Sequence, residues 1–199
     1  MLIRCKHALW SDTDFDCGLA AYNATQTMLK SSNITLSPLQ SSLLATVHQW
    51  YANQSSTTAG ELAFLSSIES LSKAYPNESD IGVLWGLSLL NVAYEHEFEG
   101  QVEPEPMLKA REVLKSVLKS EPNHPGALHY LIRAYAVAQS NVSQKALDYV
   151  SMHEKLSSSL SYAKHLPAHI YMRTGNGDFF NGFHARKIYT GSHFYHKDQ

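Results

Sequence analysis

Cysteine is almost absent from this chain. Cys5 and Cys17 are the only two in 199 residues. Two thiols cannot build a disulfide framework, so two free thiols are expected. Neither stands in a CxxC or Cys/His spacing, which excludes a structural zinc site of the common kind. Charge is sparse as well, at 17% of residues with a net charge of −2. Without a basic surplus, nothing points to nucleic acid or to an anionic membrane surface. Long apolar runs are also missing, and no stretch approaches the roughly 18 residues a spanning helix needs. The opening "MLIRCKHALWSDTDFDC" is too polar for a signal peptide. No nucleophile elbow, phosphate loop, HExxH or dinucleotide fingerprint occurs. The reading is therefore of a non-enzyme, with no catalytic residue, no metal and no cofactor indicated.

What is present is helical patterning. The chain is 44% hydrophobic, enough for a real core, and no run alternates with the period of a strand. Eight helices are expected, over about 14–30, 38–51, 59–75, 79–93, 107–120, 125–138, 143–156 and 167–174. Ser37 can cap the second, with Pro38 at the first helical position, where a missing N–H costs nothing. Leu39, Leu43, Leu44, Val47 and Trp50 then make one apolar stripe. In the first helix Leu19, Tyr22 and Met28 are the apolar positions, and in the third Leu62, Leu65, Ile68 and Leu71 should point inward. The fourth is apolar nearly all round and should be buried between neighbours, with Trp85 in the core. The segment "YEHEFEGQVEPEP" reads as a solvated acidic loop, and "GNGDFFNGFHARKIYTGSHFYHKDQ" has no period. One helical domain over 1–176 and an irregular tail over 177–199 follow.

Five triplets fit the N-glycosylation acceptor pattern, at Asn23, Asn33, Asn53, Asn77 and Asn141. Asn, Ser and Thr also gather at helix caps, which generates such triplets in any helical protein. Secretion would need a leader that this stretch lacks, unless the chain is part of a longer protein. The compartment stays open.

Short helices joined by short loops call for a test of fixed periods. Ala110, Leu114, Val117 and Pro122 have the spacing of a repeat's second helix, and Phe64, Ile68, Leu71 and Pro76 repeat it. Tyr135 and Tyr171 fall on the aromatic position of the following first helix, and Gly175 on its turn glycine. The chain thus resembles tetratricopeptide-repeat proteins. More narrowly, "SEPNHPGALHYLIRAY" and "AKHLPAHIYMRTGN" are similar to a poorly characterised group in which "DPxHPGAxHxxIHA" precedes "HxxHMPAHIYxRxG". The likeness covers about 59–176. It departs from the pattern at Arg133, where the group has histidine, and after Asn176, where Phe179, Phe180 and Phe183 are too bulky for a close helix crossing. The resemblance implies an all-α fold, an α-α superhelix of stacked antiparallel helix pairs. Each pair would expose an apolar face that only the next covers.

The resemblance also places four side chains in a concave groove. If Tyr135 and Tyr171 are equivalent, so are His129 and His165, and so are Arg133 and His169. Residues four apart share a helix face. Three readings compete for His129, Arg133, His165 and His169. They can bond carbonyls and helix ends. They can bind an acidic or carboxylate-bearing protein or peptide, with Arg133 as a forked donor. They can hold a metal, against which Arg133 stands as a repelling cation. The expectation is a protein- or peptide-binding scaffold with these four as ligand-binding residues; the alternative is a metal- or histidine-dependent enzyme in the same groove. Histidines near their ordinary pKa would make binding of an acidic peptide tighten as pH falls through roughly 7.5 to 5.5. His124, before Pro125, is read as a cap or loop residue.

Overall fold

The computed structural model describes residues 12–52, 57–95, 103–136, 144–156, 166–167, 169–172 and 174–175. All regular structure among them is helical. The order is α1 (Asp12–Ser31), α2 (Pro38–Ala52), α3 (Thr57–Ala74), α4 (Ser79–Glu95), α5 (Glu105–Ser120), α6 (Pro125–Ala136), a 3-10 turn (Gln144–Ala146) and α7 (Leu147–Leu156). Positions 166–167 and 169–172 are helical too. The expected tail, 177–199, lies outside the described residues. Packing divides the chain into two compact units, Met1–Pro106 and Met107–Gln199.

In the first unit each helix packs on its sequence neighbours, α1 on α2, α2 on α3 and α3 on α4. Local chemistry sets the helix ends. Asn33 takes a left-handed φ of 49°, and the Ile34 N–H reaches back to the Leu29 carbonyl at 3.1 Å. That is a Schellman stop with Asn in the place usually held by Gly. Ser37 then starts α2 with a reciprocal capping box. Its Oγ accepts from the Gln40 N–H at 3.2 Å, and Gln40 Oε1 accepts from the Ser37 N–H at 2.9 Å. Gly18 lets α1 close on α2, since a Cβ there would overlap the Tyr51 ring. Tyr22 also sits over His48, with ring centroids 4.4 Å apart.

The core of this unit is Val47, Trp50, Phe64, Ile68, Leu71 and Ile81, all at most 6% exposed. Trp50 and Phe64 meet with centroids 4.8 Å apart. Trp85 packs on this cluster from α4 as expected. The stripe of α3 needs correcting. Leu62 is 49% exposed, while Glu61 at 2% takes its place. Buried positions 61, 64, 68 and 71 follow the 3.6-residue turn, whereas steps of three from 62 drift off the face. Met28 of α1 is likewise on the surface, at 66% exposure.

The turns before α4 and α6 share one hydrogen-bond pattern. The Tyr75 and Glu121 N–H groups close the preceding helices onto Leu71 and Val117. Glu78 then donates back to Tyr75 and His124 to Glu121, and their own carbonyls accept from Gly82 and Leu128. Pro76 and Pro122 hold the same place in each, ending the helix by supplying no N–H. His124 completes the second turn as a cap, for its Nδ1 accepts from the Ala127 N–H at 3.4 Å.

The second unit has α6 against α7 and against the 3-10 turn. Met107, Ala110 and Leu114 of α5, Leu128, Leu131 and Ile132 of α6, and Val150 of α7 have no exposure. At 174–175 the Thr174 N–H closes on the Ile170 carbonyl at 2.9 Å. Gly175 follows with a left-handed φ of 72°, a turn conformation that glycine adopts without a steric cost.

Candidate functional site

The polar residues of the second unit gather on α6 and its neighbours. α6 begins at Pro125, and its apolar positions Leu128, Leu131, Ile132 and Tyr135 turn inward. That leaves His129 and Arg133, one helical turn apart, both half-buried on one face. α7 contributes His153, a residue the sequence reading passed over. It is 2% exposed, and its ring lies 5.6 Å from that of His129, centroid to centroid. The signal was available: Ala146, Val150 and His153 are the buried residues from the 3-10 turn through α7, at spacings of four and three. An imidazole there continues an apolar stripe.

This arrangement acts on the titration of both rings. Burial pushes His129 down to about 4, and His153 and the Arg133 guanidinium push in the same direction. Burial also lowers His153. Both imidazoles are therefore neutral at neutral pH. A site expected to titrate between about 7.5 and 5.5 instead has its gain of charge at His129 displaced to lower pH.

The other predicted residues divide. His169 is half-buried in the helical stretch at 169–172, with Tyr171 beside it in sequence. His165 lies outside the described residues. Tyr171 is 8% exposed and donates its hydroxyl to Glu154 Oε2 at 3.2 Å. Burial, the Glu154 charge and this bond push Tyr171 up to about 12. It stays a neutral donor through the physiological range.

Arg111 on α5 was also missed. It is 6% exposed, and its Nε and Nη2 donate to the Ala134 carbonyl at 3.2 and 2.7 Å. Ala134 lies in the last turn of α6, where carbonyls lack intrahelical donors, so the guanidinium acts as a side-chain cap from a neighbouring helix. Its Cζ sits 4.6 Å from the Tyr135 centroid, and Lys115 Nζ lies 5.5 Å from the same ring. Tyr149 stacks on Tyr135 at 6.5 Å and 11°. Two cations and two aromatic rings thus back the inner side of α6 and fix its orientation.

Chemically, the face offers a guanidinium and a neutral imidazole that can become cationic when an anion approaches. Among the described residues, no group of three His, Cys, Asp or Glu side chains could hold a metal ion. None of the helices is long and apolar enough to cross a membrane, again among the described residues. Compared with known proteins, the chain matches no family model, no curated sequence and no solved structure.

Proposed function

We propose that the chain is a protein- or peptide-binding scaffold of the helical-repeat kind. Its paired helices would stack as in a tetratricopeptide superhelix, and its ligand would present a carboxylate to the α6 face. The matching turns before α4 and α6 support the repeat reading. So does the left-handed Gly175 after Tyr171.

One observation carries the ligand class. Arg133 and His129 stand one turn apart on α6, with a second buried imidazole 5.6 Å from His129, and the Arg133 charge opposes protonation of His129. A carboxylate placed against Arg133 reverses that field. The guanidinium offers a forked, charge-assisted pair of donors, and the anion makes a protonated His129 favourable. His165 and His169 join the ligand set by repeat equivalence with these two residues.

The test is fluorescence anisotropy with a labelled acidic peptide and its amidated counterpart. Preference for the acidic form, weakened about tenfold or more by Arg133→Ala, supports the reading. Equal binding of both peptides, or indifference to Arg133→Ala, would sink it. Because free His129 is neutral down to about 4, affinity should tighten as pH falls below its raised, ligand-bound pKa. It should weaken once the ligand's own carboxylates, near about 4, take up protons.

A further inference from the structure

We infer that the first unit holds a second, independent site, a recess between α1, α2, α3 and α4 that takes a hydrocarbon chain. Its volume is ≈ 390 Å³, within the range of about 300–1,000 Å³ typical of small-molecule sites. Leu29 of α1, Leu43 and Leu44 of α2, Phe64 of α3 and Leu84 of α4 form its walls. No charged side chain lines it among the described residues.

The two polar residues on its lining are engaged elsewhere. Thr25 Oγ1 donates to the Ala21 carbonyl at 2.9 Å. Gln40 Oε1 is held by the Ser37 N–H in the capping box. The rest of the lining is aliphatic or aromatic. A recess of that character gives water few partners and favours an apolar guest. The turn between α1 and α2 adds Leu36 to the wall. The walls come from four separate helices, and the volume of ≈ 390 Å³ gives room for a flexible alkyl chain.

The probe is 1-decanol, with decanoate as the charged comparison, added to the full chain. Saturable one-to-one binding by calorimetry is expected, with methyl shifts at Leu43, Leu44 and Leu84 in the unmodified protein. Leu43→Trp and Leu44→Phe, which fill the recess, should each weaken binding about tenfold or more while helical circular dichroism is kept. Arg133→Ala should leave it unchanged. Decanoate should bind no more tightly than decanol, since no cation lines the hollow. Three results would overturn the proposal. One is decanol that fails to saturate or leaves those methyls unmoved. Another is binding that survives both filling variants. The third is dimerisation through this surface, seen as a concentration-dependent dimer that the same fillers abolish.

Discussion

The two units bury different ionisable groups: the first holds the Glu61 carboxylate, at 2% exposure, beside an apolar core, and the second a guanidinium and an imidazole. The α2–α4 core is Val47, Trp50, Phe64, Ile68, Leu71 and Ile81, with further leucines and aromatics packed on it. The second unit threads Arg111 and His153 through its interior, at 6% and 2% exposure, beside equally buried leucines. Apolar burial is non-directional and indifferent to pH. A buried imidazole or guanidinium has to be oriented, hydrogen-bonded and kept in one protonation state. Stability should respond differently to the same perturbation in the two units.

The largest separation comes from the apolar core. Ile68 has no exposure, so Ile68→Ala should destabilise the first unit by about 2–5 kcal/mol. Denaturant unfolding at pH 7.5 and at pH 5 should show the same loss. A loss that depended strongly on pH would erase the contrast.

Acid should act on the second unit next. His129 and His153 have lowered pKa values when folded, so the unfolded chain binds more protons below the ordinary value of about 6.5. The stabilisation is fully present above that value and is lost as pH falls toward about 4 for His129. The slope approaches about 1.4 kcal/mol per pH unit for His129. Hydrogen exchange resolved by segment should show protection of α6 and α7 falling before that of α3 and α4. His129→Leu should flatten the difference. Uniform loss of protection would count against it.

Arg111→Met should cost about 1.5–3 kcal/mol by removing two charge-assisted bonds to the Ala134 carbonyl. Exchange at the end of α6 should rise most. The smallest effect is expected at Gly175, whose φ is 72° and whose Cβ position is open. Gly175→Ala there has only backbone strain to overcome, about 1–2 kcal/mol, and thermal unfolding should detect it without any change in ligand binding.

How far the sequence announces these features depends on how local their causes are. Helix starts and stops are local, so Ser37 with Pro38, and Pro76 and Pro122, can be read directly, and the observed helices begin and end within a few residues of expectation. The stripe of α3 was readable only to one residue, because Leu62 and Glu61 differ by a fraction of a turn and hydrophobicity alone favours the leucine. That His129 and Arg133 share a helix face follows from their spacing of four residues. Their consequence does not, since the lowered His129 pKa needs His153 brought in from another helix. Arg111 has its partner on α6, and nothing local marks it as different from a solvated helix arginine. The recess between α1 and α4 is likewise a product of packing, for each wall residue alone reads as ordinary core.

The most direct measurement is an NMR titration of the His129 imidazole, with and without an acidic peptide. The free protein should show a pKa near about 4, and saturating peptide should raise it, an effect lost in Arg133→Ala. A free His129 that titrates at about 6.5, the ordinary value, and does not move when the peptide is added would contradict the carboxylate-binding site on α6.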